Sequence, residues 1–168
     1  MPKVLCDPDP AAQRQMLEWM AAMIPNVPIE YYTNPLCFGL VNETDLLGVV
    51  TFHDYRVDPS TGAALMIEMS GAGRDVHWLS RRSLQFLFGY VFNQLGCRRL
   101  TTVTPRSSER VLNVDKKLGF TIEGCLRQAL PNGDDLIIMG MLKDECRWIK
   151  QGAEDGEKRR RRGNARAS

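Results

Sequence analysis

Glu68 interrupts an otherwise apolar run, Leu65-Met66-Ile67-Glu68-Met69. A carboxylate placed that way either faces solvent through the period-2 alternation of a strand or lines a cleft, with burial raising its pKa. In the second case it suits proton abstraction near neutral pH. His53, in Phe52-His53-Asp54-Tyr55, titrates near neutrality when unperturbed and could serve instead, although a histidine at a strand end is more often structural. The run Trp78-Leu79-Ser80-Arg81-Arg82-Ser83 is a third constellation. Ser80 can cap the helix that follows, and a helix N-terminus beside two guanidinium groups offers amide donors and positive charge to an anion. The competing reading is two solvated arginines on an exposed first turn. Metal chemistry finds little support. The five cysteines, at 6, 37, 97, 125 and 146, are scattered with no C-x-x-C, and only His53 and His77 could join them.

The elements that must position these residues can be read from apolar periodicity. Lys3–Cys6 fits a short edge strand. Ala11–Ile24 reads as a helix, with Met16, Leu17, Met20, Met23 and Ile24 on one face and Pro10 suited to its first turn. Pro25, Pro28 and Pro35 make the next stretch irregular around Ile29–Tyr32. Cys37–Val41, Leu46–Tyr55 and Ala63–Met69 form an antiparallel meander, turning at 42–45 and at Asp58-Pro59-Ser60-Thr61-Gly62. Gly71-Ala72-Gly73 opens a loop. A helix from Leu79 to Leu95 stops at Gly96, and Arg99–Thr104 is a strand. A second helix follows the turn Pro105–Ser108 and runs through Leu118 to the stop at Gly119. Phe120–Leu130 and Asp134–Leu142 are strands joined by Pro131-Asn132-Gly133, a hairpin signal, and Lys143–Lys150 forms a last helical turn. This order predicts an α/β fold with a mixed sheet of about seven strands and helices on both faces.

With 168 residues, 43% hydrophobic and 25% charged, the chain is sized and composed for one globular domain, placed at 1–150. No apolar run approaches the ~18–20 residues of a membrane helix. The N-terminus meets Asp7-Pro8-Asp9-Pro10 before a signal-peptide core could form, so a cytoplasmic location is expected. The net charge of +2 is uneven: residues 151–168 carry six basic and three acidic side chains, leaving 16 basic and 17 acidic on the rest. A body of net −1 is no general nucleic-acid surface. The basic tail, 151–168, reads as a solvated, disordered end that could touch RNA, DNA or protein.

The segment from Asn113 to Ala129, with its core Lys117-Leu118-Gly119-Phe120-Thr121-Ile122-Glu123-Gly124, resembles the GNAT superfamily of acyl-CoA-dependent N-acetyltransferases. Its extension through Cys125-Leu126-Arg127-Gln128-Ala129 and Asn132-Gly133-Asp134 is most similar to the branch acetylating the N-terminal amines of ribosomal proteins. Trp78–Leu95 and Phe92–Arg99 are similar to that branch's third helix and fifth strand. The likeness covers roughly residues 37–148.

The resemblance implies acetyl-CoA as co-substrate, an amine acceptor and direct attack in a ternary complex, with no metal. It places the pyrophosphate at Leu79, Ser80, Arg81, Arg82 and Ser83, although the family's loop glycines are absent there. The pantetheine arm would pair with backbone of Glu68, Met69 and Ser70. Ser108 falls where the family often has Asn, and Val111 where it has a proton-donating Ser. Glu123 occupies the position of a glutamate proposed as base, beside Glu68 as the other candidate; each could equally serve in a salt bridge. Tyr31, Tyr32 and Tyr90 are candidate replacements for the missing acid, Tyr90 in the helix core and Tyr31 or Tyr32 nearer the acceptor. The acceptor would be a protein N-terminus or a small amine, the tail could reach a ribosome or nucleic acid, and related proteins are monomers or homodimers. Two other readings compete: a GNAT-fold binding module without catalysis, and a nucleic-acid-associated protein acting through its tail.

Overall fold

The computed structural model describes residues 2–43, 45–74 and 78–149. The 42–45 turn is therefore described only in part, and His77 and the tail at 151–168 lie outside the described residues. Among the described residues, seven strands form one sheet in the order β1-β2-β3-β4-β5-β7-β6. They are β1 (Lys3–Leu5), β2 (Leu36–Asn42), β3 (Asp45–Val57), β4 (Ala64–Gly73), β5 (Arg99–Pro105), β6 (Thr121–Leu126) and β7 (Leu136–Leu142). All neighbours are antiparallel except β4 and β5. The predicted α/β class, the short edge strand and the meander are all present.

Three α-helices among the described residues cover the sheet: α1 (Pro10–Ala21), α2 (Arg81–Gly89) and α3 (Glu109–Leu118). Asp9 starts α1 by accepting from the Ala11 and Ala12 amides, with Pro10 in the first turn. The helix ends three residues before the sequence pattern suggests. Met23 and Ile24 bond back only three residues, to Met20 and Ala21, tightening the end ahead of Pro25. A π-turn at Tyr90–Gln94 extends α2 toward its predicted end. Beyond β7 the predicted helix is a single 3-10 turn, Lys143–Glu145.

Register pairs share a sheet face, so the two faces can be read along the rows. One carries Phe38, Val50, Phe52, Ile67, Leu100, Met139 and Met141, buried beneath Leu84, Leu87 and Phe88 of α2, Phe92, and Leu118 of α3. Each such side chain contributes about 1.5–3 kcal/mol of burial. The other carries Cys37, Val49, Thr51, His53, Glu68, Ser70 and Thr101. Its β2–β4 half is covered by Met16, Leu17 and Met20 of α1, and by Tyr32. Face alternation thus puts oil under two helices and polar groups on the opposite side.

Two departures from the sequence pattern have local causes. Gly71-Ala72-Gly73 is the paired end of β4 rather than a loop, Gly73 standing opposite Gly48. The strand expected over Phe120–Leu130 ends at Leu126, and the connection to β7 is longer than an Asn-Gly hairpin. Asp134 there accepts from the Ser107 amide and hydroxyl, and Asp135 from the Gln128 amide while pairing with Arg106 at 3.0 Å. These bonds tie the connection to the end of β5 instead of closing a tight turn.

Asp115 is buried in the last turn of α3, where a negative charge also opposes the helix dipole. Its carboxylate accepts from the Thr104 hydroxyl at 2.9 Å, yet burial pushes its pKa up to about 6. A raised carboxyl pKa means that the fold favours the protonated form, so this contribution to stability is lost as pH rises from about 4 through about 6. Asp115→Asn keeps an acceptor for Thr104. It should therefore raise stability at pH 7.5 by up to about 2–3 kcal/mol and have little effect at pH 4, as read by thermal melts at the two pH values.

Candidate functional site

Pairing between β4 and β5 covers three rows, Met66–Arg99, Ile67–Leu100 and Glu68–Thr101. Past that row β4 goes on pairing with β3 as far as Gly73–Gly48, and β5 with β7 as far as Pro105–Leu136. The two parallel strands are thus held on their outer sides while their facing edges part, leaving backbone donors and acceptors of both strands along a wedge. Met69 and Ser70 are the first residues of β4 beyond its apex. Because β4 and β5 run parallel, α2 and α3 both begin at the open end of this wedge.

Glu68 is the last residue of β4 to pair with β5 and is 9% exposed. Its Oε1 accepts from the Tyr31 hydroxyl at 2.5 Å and lies 3.8 Å from His53 Nε2. Burial raises its pKa, opposed by the Tyr31 bond. His53 is its cross-strand partner on β3, and its Nε2 also stands 3.2 Å from Ser70 Oγ. The rings of Tyr31 and Tyr32 meet the imidazole edge-on at 5.4 and 5.1 Å. Burial lowers the His53 pKa to about 4, so the ring is neutral at physiological pH, and its Nδ1 has no partner among the described residues. Burial also drives up the phenol pKa values, that of Tyr32 to about 12, with the Glu68 charge adding to both. The phenols therefore remain proton donors.

At the start of α2, Ser80 and Ser83 form a reciprocal capping box: Ser80 Oγ accepts from the Ser83 amide and Ser83 Oγ from the Ser80 amide, at 3.1 and 2.8 Å. Ser83 is buried. Arg81 and Arg82 are exposed, and helix geometry leaves their amides without an intrahelical acceptor. Ahead of them Leu79 is half-buried, while the Trp78 indole lies on a platform of Gly48, Gly71 and Gly73. A Cβ at Gly48 or Gly73 would overlap the ring. Ser108 is the N-cap residue of α3 without a side-chain capping bond, and Val111 is exposed one turn further on.

The residues singled out in the sequence are thus divided. Glu68, His53, Ser70, Tyr31 and Tyr32 come together on one face, while Leu79–Ser83 and Ser108 sit at the two helix starts beyond the wedge. Glu123 is not among them. It is on β6, separated from β4 by β5 and β7, and its carboxylate pairs with the Arg99 guanidinium across Gly140, the salt bridge that the sequence left open. Tyr90 packs against Phe38 and Phe52 on the opposite face. Two features were not read from the sequence, the Tyr31–Glu68 bond and the Trp78 platform. Glycines at 71 and 73, spaced to share a strand face close before a tryptophan, were the available signal for the second.

No protein-family profile matches the chain, and no curated protein matches it. Solved structures do. The ribosomal-protein-S5-alanine acetyltransferase of Vibrio fischeri is 20% identical with a TM-score of 0.56; 67% of this chain is covered, and it spans 64% of that one, less than two thirds of its length. YncA from Salmonella typhimurium, solved with its cofactor acetyl-CoA, is 14% identical with a TM-score of 0.64, covering 87% of this chain and 96% of that one. Mutant forms of the spermidine/spermine N-acetyltransferase SpeG from Vibrio cholerae are 13% identical with a TM-score of 0.61, covering 85% and 95%. The fold is that of the GNAT acetyltransferases.

Because Trp78 seats the start of α2 on the glycine platform, Gly48→Ala should displace the indole. The expected outcome is a loss of about 1–3 kcal/mol of stability with a red-shifted tryptophan emission, whereas Gly62→Ala, in an open turn, should leave the emission unchanged.

Proposed function

We propose that the chain transfers an acetyl group from acetyl-CoA to a primary amine, with Glu68 as general base. The observation that carries this reading is the wedge between β4 and β5, with a buried carboxylate at its apex and two helix N-termini at its mouth. The residues present fit the co-substrate. Unpaired edges of Met69 and Ser70 suit the amides of a pantetheine arm as an added strand would, and Ser108 lies within the same mouth. The amides of Arg81 and Arg82, their guanidinium groups and Leu79–Ser80 suit a pyrophosphate, with Ser83 holding the cap in shape.

Acetyl-CoA supplies a thioester carbonyl as electrophile and a thiolate as leaving group. The protein's own contribution is to strip a proton from the acceptor's ammonium, which cannot attack while protonated, and to hold the free amine against the carbonyl. Glu68 takes that proton. His53, neutral, adds no counter-charge that would weaken the carboxylate as a base. Backbone amides of β4 at the wedge are suited to stabilise charge developing on the carbonyl oxygen. The acceptor is a protein N-terminus or a small amine; the solved neighbours are named for an alanine of ribosomal protein S5 and for spermidine/spermine. Glu123, paired with Arg99, takes no proton in this scheme. The six basic side chains within 151–168 likewise have no part in the transfer step.

Calorimetric titration of acetyl-CoA should give micromolar binding, weakened at least tenfold by Arg81→Ala/Arg82→Ala, about 1.4 kcal/mol. Glu68→Gln should leave that affinity within about twofold yet lower kcat/KM across a panel of peptide amines and polyamines by ~100-fold or more. Absence of binding at millimolar acetyl-CoA would sink the enzyme reading in favour of a binding module without catalysis. Ending the chain at residue 150 should leave transfer to a small amine intact; its loss would point to the tail.

A further inference from the structure

Tyr31 belongs to the connection between α1 and β2, not to the sheet that carries the base. It closes a 3-10 turn, Ile29–Tyr31, entered from Pro28 and followed by Pro35. Asn26 and Asn34 on either side adopt left-handed φ values of 65° and 47°, turning the chain back over the sheet. The residue is 39% exposed, yet its hydroxyl points inward to Glu68 Oε1 at 2.5 Å. That is the one side-chain hydrogen bond Glu68 receives among the described residues.

The surroundings of Glu68 make this bond matter. Burial alone drives a carboxyl toward its neutral form, which cannot accept a proton. The other groups facing it do little to oppose that. His53, from β3, is neutral and stands 3.8 Å from Oε1. Asp54, on the bulge of the same strand with φ 51°, adds like charge, and Arg56 is already paired with Asp54 at 2.7 Å. Tyr32, from the same connection as Tyr31, holds its proton. On the β5 side the row partner is Thr101, which carries no charge.

We propose that Tyr31 is the positioning residue of the base: its hydroxyl, delivered by the connection over the sheet, fixes the Glu68 carboxylate in its ionised state and turns Oε2 toward the acceptor. Oε1 serves both Tyr31 and the His53 edge, whereas Oε2 has no partner among the described residues. The acceptor's N–H bond breaks, its electron pair stays on nitrogen, and the proton moves to Oε2 while the phenol keeps its own proton throughout. A half-exposed residue of the acceptor-side connection thereby governs the strength of a buried base. This rests on the reading of Glu68 as the base.

The test is a titration of glutamate side-chain carboxyl carbons by 13C NMR on the full-length protein without acetyl-CoA, with the Glu68 signal assigned by its loss in Glu68→Gln. Tyr31→Phe should raise the Glu68 midpoint by about one pH unit or more and move the acid limb of the kcat/KM profile upward equally, with acetyl-CoA affinity unchanged. A midpoint that stays in place overturns the inference, whatever happens to the melting temperature. If the midpoint moves but Glu68→Gln leaves the rate intact, the base assignment fails and the positioning stands. If Glu68→Gln abolishes the acid limb while Tyr31→Phe leaves the midpoint alone, only the positioning fails. Tyr31→Leu, which also removes the donor, repeats the measurement should Tyr31→Phe not fold.

Discussion

The parting of β4 from β5 after the Glu68–Thr101 row is the constraint on which the site depends. A strand edge left without a partner inside a sheet is costly, because backbone amides and carbonyls lose water and gain nothing in return. Here the cost is contained because each strand keeps its outer partner, β3 on one side and β7 on the other, to its very end. The sheet is therefore rigid on both sides of a gap rather than frayed. A gap bounded in this way, with unmet hydrogen-bonding capacity along its edges, suits the extended co-substrate proposed for it.

The helices serve that gap in different ways. Beneath the sheet, α2 and α3 bury the oily face and bring their N-termini to the mouth of the wedge. The start of α2 is secured by the Ser80–Ser83 box and by Trp78 lying flat on glycines. Where a glycine-rich loop would bring backbone close to a phosphate, this chain has spent its glycines on the strands and placed a tryptophan on them. On the other face α1 covers only the β2–β4 half, and the connection after it closes over His53 and Glu68 with two tyrosines. Polar groups on that face are thus buried by aromatic rings rather than by aliphatic packing, which dries the carboxylate while leaving it one strong donor.

Element order was legible in the sequence because it follows from periodicity and from punctuation by Pro and Gly. The meander, the helix before β5, the Gly119 stop and the polar Glu68 within an apolar strand all follow from local rules. Errors fell where a distant contact outweighed a local signal. The glycines of 71–73 read as loop but pair as strand, because Trp78 needs the space that side chains would fill. The Asn-Gly pair reads as a tight hairpin, but Asp134 and Asp135 are drawn to Ser107, Arg106 and Gln128.

The site was legible only in part. Residue type and spacing picked out Glu68, His53 and the Ser80–Ser83 capping run, since a lone carboxylate in an apolar strand and a capped helix start are one-dimensional signals. Whether Glu68 or Glu123 lies at the wedge was not such a signal, because it depends on strand order: β6 is an edge strand and β4 adjoins the gap. Nor could the chain show that Tyr31, 37 residues before Glu68, supplies its hydrogen bond. Periodicity and capping act over a few residues along the chain and are written in it. Strand order, the parting of β4 from β5 and the closing of Tyr31 over the carboxylate are settled by which surfaces the whole chain can bury together.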